Sequence, residues 1–139
     1  MLHTQEVDVL ARTLWGEARG EGTRGMAAVA CVIVNRASHP SWWGNSIEAC
    51  CKAPNQFSCW LPNDANLKKL MDVTDEDDAF YTALIVASLA VLKQIPDLTN
   101  GADSYYAPSY FHYPPYWTKG ETPTAIIGHH KFYKLRKGA

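Results

Sequence analysis

The stretch that decides the fold is LWGEARGEGTRGMAAVACVIVNR, residues 14–36. It holds the end of an amphipathic segment, a glycine-rich break, and then a segment that is apolar on nearly every side. A helix that is apolar all round is buried in the core of a protein. The segment from Thr23 to Val34 therefore predicts a central, buried helix, and Gly20-Glu21-Gly22 predicts the end of the helix before it.

Upstream of this break the sequence predicts an amphipathic first helix. Thr4 is a suitable N-cap residue. Glu17 falls on the apolar face, seven residues after Leu10 and three after Leu14, where a carboxylate is costly unless it is neutral, paired or functional. The apolar positions recur at three- and four-residue spacing: Val7, Leu10, Ala11, Leu14 and Ala18.

Two interpretations of Glu17 follow from the residues alone. Partial burial raises the pKa of a carboxyl group and makes it a proton donor near neutral pH, as the acid of a glycosidase must be. Alternatively, Glu17 forms a buried ion pair with Arg19, Arg24 or Arg36.

Glu21 is the candidate for a second carboxylate. A glycosidase with two carboxylates needs them roughly 5 to 9.5 Å apart, which a helix end and its loop could supply. The alternative is that Glu21 stabilises the N-terminus of the second helix through the helix dipole.

The remaining sequence predicts a loop, three further helices and a small sheet, which together indicate one mostly helical α+β domain over residues 1–139. In chain order, we predict a loop at His39–Gly44, a short helix from Ser46 to Lys52, an extended segment at Pro54–Trp60, a short helix from Asp64 through Met71, a long helix capped by Thr74 and Asp77 and ending near Gln94, and strands at 104–106, 125–127 and 131–133.

Aromatic residues are concentrated in the predicted loops and not at core periodicity. Together with polar neighbours such as Asn55, Gln56, Ser58 and His112 they fit a cleft that stacks on sugar rings and hydrogen-bonds acetamido groups. Alternatively, these aromatic residues stabilise loops that have no hydrophobic core of their own. These aromatics are Trp42, Trp43, Phe57, Trp60, Tyr105, Tyr106, Tyr110, Phe111, Tyr113, Tyr116 and Trp117.

Composition excludes several functional classes. The 139 residues carry a net charge of −1, and basic residues cluster only at the C-terminus, so we expect no nucleic-acid partner. No apolar stretch reaches the ~20 residues that span a bilayer, so we expect no membrane insertion. Residues 1–15 lack the pattern of a signal peptide, and we expect synthesis in the bacterial cytoplasm. We also expect a monomer.

The cysteine and histidine residues do not predict a metal site or a cofactor. Cys31, Cys50, Cys51 and Cys59 contain no C-x-x-C pattern, and Cys31 is predicted to be a small core residue. A disulfide between Cys59 and either Cys50 or Cys51 is one possibility, and four free thiols are the other. His129 and His130 could form a site with His112, but adjacent histidines rarely point at one ion, and the sequence has no H-E-x-x-H pattern.

Taken together, residues 11–22, 25–30 and 32–36 resemble the SleB-type cell wall hydrolases, a family that includes spore-cortex-lytic enzymes and phage lysins. The shared pattern is a long GEARGE-G-x-x-A-V-A-x-V-I-x-N-R run. Residues 54–60, 102–108 and 127–133 also resemble the family, so the resemblance covers nearly the whole chain. The family often has His where this chain has Ser104 and Tyr105.

The resemblance implies a lysozyme-like fold related to lytic transglycosylases, and cleavage of peptidoglycan glycan strands between N-acetylmuramic acid and N-acetylglucosamine. It implies that Glu17 is the catalytic acid. Without a signal peptide or a wall-binding domain in this sequence, the pattern indicates a phage or prophage endolysin released through a holin. The substrate-binding residues that we predict are Gln56, Phe57, Ser58, Trp60, Tyr105, Tyr106, His130 and Tyr133.

Three alternatives remain open from the sequence. A hydrolytic N-acetylmuramidase would use a second carboxylate such as Glu21. A peptidoglycan amidase would need a metal or an activated nucleophile. A non-catalytic glycan-binding module would explain the aromatic residues but not a carboxylate on the apolar face of a helix.

Overall fold

A computed structural model describes residues 3–137 and shows a mostly helical chain with one small sheet. The prediction of a mostly helical α+β fold is confirmed. The prediction of one domain over residues 1–139 stays a prediction, and its four terminal residues lie outside the described part. The helices are α1 (Gln5–Ala18), α2 (Gly22–Ser38), α3 (Ile47–Lys52), α4 (Leu67–Asp72) and α5 (Asp78–Val91), and the strands are β1 (Ser104–Tyr106), β2 (Ala125–Ile127) and β3 (His130–Tyr133).

The first two helices form as predicted. The Oγ1 atom of Thr4 accepts a hydrogen bond of 3.2 Å from the backbone N–H of Val7, which caps α1. Residues 25–33 of α2 are all buried, so α2 is the central helix of the core. Helix α5 packs against both α1 and α2, and the three helices bury most of the apolar side chains.

The sheet places its two faces in different surroundings. Its strand order is β1-β3-β2, with both pairs antiparallel and with Tyr105 opposite Phe132. Because side chains alternate along a strand, Tyr105, His130 and Phe132 share one face, which Phe132 helps to pack against α2. Tyr106 and Tyr133 belong to the other face.

The segment 54–60 was predicted to be extended, and this prediction is wrong. The chain turns at Asn55, whose φ is 61°, and residues Ser58–Trp60 form a 3-10 turn. The backbone N–H of Trp60 donates a hydrogen bond of 3.1 Å to the carbonyl of Phe57. Asn tolerates a positive φ better than most residues, and this local chemistry prevails over the apolar pattern.

Two helix starts also differ from the predictions. Helix α4 begins after Asn66, because the Asp64 side chain accepts a 2.7 Å hydrogen bond from the Asn66 N–H and stabilises a turn instead of capping a helix. Helix α5 is capped by Asp77, which accepts a 2.9 Å bond from the N–H of Phe80, and not by Thr74. It ends at Val91, before the predicted Gln94.

Candidate active site

Glu17 lies in the last turn of α1 with its carboxyl half-buried. Burial raises the pKa of Glu17, and the negative charge of Asp64 acts in the same direction. Hydrogen bonds from Cys59 and Tyr105 oppose this rise because they favour the ionised form. The carboxyl group therefore holds its proton to a higher pH than an exposed glutamate does.

The approach of Cys59 to Glu17 depends on the residue before the glutamate. A Cβ atom at Gly16 would lie 2.7 Å from Cβ and 2.9 Å from Sγ of Cys59, closer than real contacts allow. Glycine at this position thus lets the 3-10 turn at Ser58–Trp60 sit directly against α1.

Tyr105 approaches Glu17 from the sheet. Its hydroxyl lies 3.5 Å from Oε1 of Glu17, a long hydrogen bond in which the tyrosine donates. Burial, together with the charge of Glu17, raises the pKa of Tyr105 well above its usual value, so the hydroxyl stays protonated. The ring is fixed by His130 and Phe132, with centroid distances of 5.0 and 5.5 Å.

The alternative of a buried ion pair at Glu17 finds no support within residues 3–137, where no cation pairs with this carboxylate. Arg19 donates a 2.9 Å hydrogen bond to the carbonyl of Trp15 and lies over its ring at 4.1 Å. Arg24 is exposed. Arg36 is buried and donates a 2.6 Å bond to the carbonyl of Asp103.

Glu21 holds the turn between β2 and β3. Its Oε1 accepts a 2.7 Å hydrogen bond from the backbone N–H of His129, and its Oε2 lies 2.7 Å from Nδ1 of the same residue. These bonds lower the pKa of Glu21. The side chain does not cap α2, and a Cβ atom at Gly128 would lie 2.6 Å from Oε1, so the turn is tightly packed on this carboxylate.

Gln56 is held by Arg36, a residue that sequence reasoning treated only as a possible ion-pair partner. The Nη1 atom of Arg36 donates a 3.2 Å hydrogen bond to Oε1 of Gln56. The guanidinium lies 5.9 Å from the ring centroid of Phe57 and 5.8 Å from that of Trp42. An arginine inside an otherwise apolar helix was the signal that could have indicated this role.

The structure brings some of the predicted binding residues to Glu17 and not others. Tyr105 and His130 share the sheet face beside it. Tyr106 and Tyr133 lie on the opposite face, where Trp117 packs edge-on against both rings and Phe111 covers Tyr106. Tyr105 and His130 therefore lie on the Glu17 side of the sheet, and Tyr106 and Tyr133 lie on its other side.

The segment around Cys59 holds the other predicted residues. Phe57 is buried and Ser58 is exposed. Trp60 is half-buried, and its Nε1 donates a 2.8 Å hydrogen bond to Oγ1 of Thr13, one turn before Glu17 on α1. Phe57 and Trp60 thus flank the residue that contacts the carboxyl group.

A profile of the cell wall hydrolase family matches residues 20–133 of this sequence, which is most of its length. The chain belongs to the cell wall hydrolase family. The matched region begins three residues after Glu17 and includes the Glu21 turn, the Cys59 segment and the whole sheet. The predicted family is thereby confirmed. A comparison with curated proteins gave no match.

Two solved structures resemble this cell wall hydrolase along nearly its whole length. The catalytic domain of the germination-specific lytic transglycosylase SleB from Bacillus anthracis is 25% identical, with a TM-score of 0.71, covering 95% of this chain and 97% of that one. The catalytic domain of the Bacillus cereus SleB protein is 24% identical, with a TM-score of 0.68, covering 96% and 93%. The lysozyme-like fold that we predicted is thus confirmed.

The cysteines of this cell wall hydrolase are all buried free thiols. Cys31 lies in α2 with 6% of its surface exposed, as predicted for a core residue. No bridge joins Cys50 or Cys51 to Cys59. Burial raises the pKa of Cys59 strongly, and the neighbouring charge of Glu17 adds to the effect, so the thiol is not an activated nucleophile.

The adjacent histidines His129 and His130 of the cell wall hydrolase have different surroundings. His129 contacts Glu21, and burial lowers the pKa of His130. Within residues 3–137 no group of three or more His, Cys, Asp or Glu side chains is placed to hold a metal ion. Across the same residues no helix is long and apolar enough to cross a membrane.

Proposed function

We propose that this chain is a peptidoglycan-degrading lytic transglycosylase that cuts between N-acetylmuramic acid and N-acetylglucosamine, with Glu17 as its acid and base. The observation that carries the proposal is the half-buried Glu17 carboxyl, whose pKa is raised and which has no cationic partner among the described residues. Membership of the cell wall hydrolase family and the likeness to SleB support the substrate class.

The first step needs a protonated Glu17. Its proton passes to the bridging oxygen as the bond between that oxygen and C1 of N-acetylmuramic acid breaks, which leaves a cationic sugar and an ionised carboxylate. The second step uses the same carboxylate as a base. It takes the proton of the C6 hydroxyl while that oxygen bonds to C1, which gives a 1,6-anhydro end and restores the acid.

The hydrogen-bond donors at Glu17 suit a group that must alternate between two charge states. The Tyr105 hydroxyl and Cys59 favour the ionised form, and burial favours the neutral form. Because these influences oppose each other, neither proton transfer meets a carboxyl group fixed in one state.

Gln56 is proposed to bind an acetamido group. The Arg36 guanidinium has only donors, so it holds Oε1 of Gln56 and leaves the NH₂ end available. That end can donate to the carbonyl oxygen of an N-acetyl substituent. The half-buried rings of Trp60 and Tyr105 supply aromatic surface, and Ser58 supplies an exposed hydroxyl. The buried Phe57 and His130 complete the proposed binding residues.

The hydrolytic alternative requires a second carboxylate to direct water. Glu21 has both oxygens engaged by His129, which favours a structural role for it. The amidase alternative finds no activated thiol at Cys59. A glycan-binding module without catalysis would not require an acid with a raised pKa.

Mass spectrometry of the products tests the proposal. Digestion of purified peptidoglycan should release fragments with 1,6-anhydro ends, which are lighter by one water than hydrolysed ends. Reducing ends without the anhydro ring would establish the hydrolase instead, and free stem peptides would establish the amidase.

The cellular role that we propose is that of a phage or prophage endolysin, acting as a monomer after holin-mediated release. Expression in a bacterial host should be harmless alone and lytic when a holin is co-expressed. Lysis without a holin would contradict this route. Sedimentation at micromolar concentration should give a single monomer species.

A further inference from the structure

A cavity of about 200 Å³ lies beside the segment that contacts Glu17. It is formed by the end of α3 and by the turns that follow it. Its lining includes one cationic side chain, one amide and several apolar groups: Lys52, Asn55, Phe57, Trp60, Pro54 and Pro62. None of the steps proposed at Glu17 uses this cavity.

The position of the cavity along α1 is set by Trp60. The ring of Trp60 lines the cavity, and its Nε1 donates a hydrogen bond to Thr13. Thr13 precedes Glu17 by four residues, so both lie on one face of α1, about 6 Å apart along the helix axis. The cavity therefore borders a residue that is hydrogen-bonded to α1 about one helical turn from Glu17.

The chemistry of the lining indicates an acidic peptide. Rings and prolines form apolar walls, and the Nζ atom of Lys52 lies 5.0 Å from the ring centroid of Trp60. Lys52 pairs with Glu48 at 3.5 Å, but both side chains are about 40% exposed. An ion pair of this kind is weak and can exchange for another carboxylate.

We propose that this cavity binds the acidic stem peptide that N-acetylmuramic acid carries, with Lys52 contacting a peptide carboxylate. The proposal rests on the proposed function and narrows its substrate to glycan that still bears stem peptides. The apolar walls contact the peptide's small side chains, and Lys52 selects for negative charge.

A binding experiment without turnover tests the cavity directly. The Glu17→Gln variant is titrated with a soluble N-acetylmuramoyl peptide while NMR follows the indole N–H signal of Trp60. We expect saturable shifts that weaken with added salt. Adding Lys52→Met, which keeps the aliphatic stem over Trp60, should raise the Kd about three- to fivefold.

Matched controls separate the cavity from general charge effects. Lys119→Met removes another exposed cation, elsewhere on the surface, and should leave the Kd unchanged. Glu48→Gln removes the competing carboxylate and should tighten binding. Amidation of the peptide carboxylates should weaken binding as much as Lys52→Met does. Equal binding by Lys52→Met and its parent, or undiminished binding of the amidated peptide, would overturn the proposal.

Cleavage of two substrates gives an independent test. Glycan strands with stem peptides are compared with strands from which an amidase has removed them. Lys52→Met should lower kcat/KM about three- to fivefold on the first substrate and leave it unchanged on the second. An equal loss on both would assign Lys52 a structural role and reject the cavity. If the wild-type protein cuts neither substrate, the proposed function fails, whereas the titration still decides the cavity.

Discussion

Glu17 and Glu21 lie four residues apart, the first before a glycine-rich break and the second within it, yet their surroundings give them opposite properties. Glu17 is surrounded by a tyrosine hydroxyl, a thiol and a helix, and burial raises its pKa. Glu21 binds the β2–β3 turn through hydrogen bonds with His129, and these bonds lower the pKa of Glu21. The repeated Gly-Glu pattern therefore describes two different chemical groups.

This difference comes from the groups that the fold packs on each carboxylate. Cys59 reaches Glu17 because Gly16 leaves space, whereas a turn with two hydrogen-bond donors closes on Glu21. The partners that the fold supplies decide whether a carboxyl group serves as a proton donor or as a hydrogen-bond acceptor that stabilises a turn.

The largest effect is expected from Glu17→Gln. The amide has nearly the same shape but cannot donate a proton to the bridging oxygen, so we expect activity on peptidoglycan to fall about 10²-fold or more. The melting temperature should change little. Glu6→Gln, at the other end of α1, should stay fully active. Near-normal lysis by a folded Glu17→Gln protein would show that Glu17 is not the catalytic acid, and the proposed contrast with Glu21 would fail.

A smaller effect is expected from Tyr105→Phe, which removes only the hydroxyl that donates to Glu17. We expect a loss of about five- to tenfold. Since this hydrogen bond favours the ionised form, its removal raises the pKa of Glu17 further. The fall of kcat/KM on the alkaline side should then move to higher pH.

Tyr106→Phe is the matched control, because Tyr106 lies on the far face of the sheet. Its pH profile should coincide with that of the wild-type protein. If both tyrosine variants shift the profile equally, the hydroxyl of Tyr105 has no specific influence on Glu17.

Glu21→Gln should be milder still, with less than about a fivefold loss of activity, because its amide oxygen can keep the bond to the N–H of His129. A loss as large as that of Glu17→Gln would instead support a hydrolase with two carboxylates. Gly128→Ala crowds the same carboxylate without altering a charge, but the alanine must also adopt a φ of 57°, so it should lower the melting temperature more than Glu21→Gln does.

The pairing of Glu21 with His129 also predicts how stability depends on pH. The lowered pKa of Glu21 contributes stability above its unfolded value, and this is lost as the pH falls through the folded pKa. The hydrogen bond to Glu21 raises the pKa of His129 above 6.5, so its contribution is lost as the pH rises through that raised value. Thermal melts should therefore separate wild type from Glu21→Gln most at about pH 5 to 6.5.

The smallest effect is expected from dithiothreitol. All four cysteines are buried free thiols, so a reducing agent should leave both activity and melting temperature unchanged. A thiol reagent should modify Cys31 only after unfolding. Inactivation by dithiothreitol would show that a bridge shapes the Cys59 side of the site.

Sequence patterns predicted the elements whose periodicity is strong. The buried helix α2, the cap at Thr4 and all three strands were found where they were expected, because each depends on local spacing of apolar residues or on a single capping side chain. The 3-10 turn at Ser58–Trp60 was not predicted, since the positive φ of Asn55 and the contact with Gly16 depend on how distant segments pack.

The candidate site residues also divide into those that local sequence spacing predicts and those that depend on the packing of distant segments. The unusual place of Glu17 on an apolar face was visible in the sequence, whereas Arg36 holding Gln56 required the fold. The separation of Tyr105 from Tyr106 follows from strand alternation, but which tyrosine faces Glu17 depends on the register with Phe132.

The contact between Tyr105 and Glu17 joins residues 88 positions apart, and Cys59 comes from a third part of the chain. The pKa of Glu17 is raised fully only when long loops have closed, which is the slow part of folding. A nascent chain that has exposed α1 and α2 but not yet β1 would hold an ordinary, ionised glutamate. Lytic activity should therefore appear when the sheet docks against the helices. An activity assay during refolding would then report the slowest folding step.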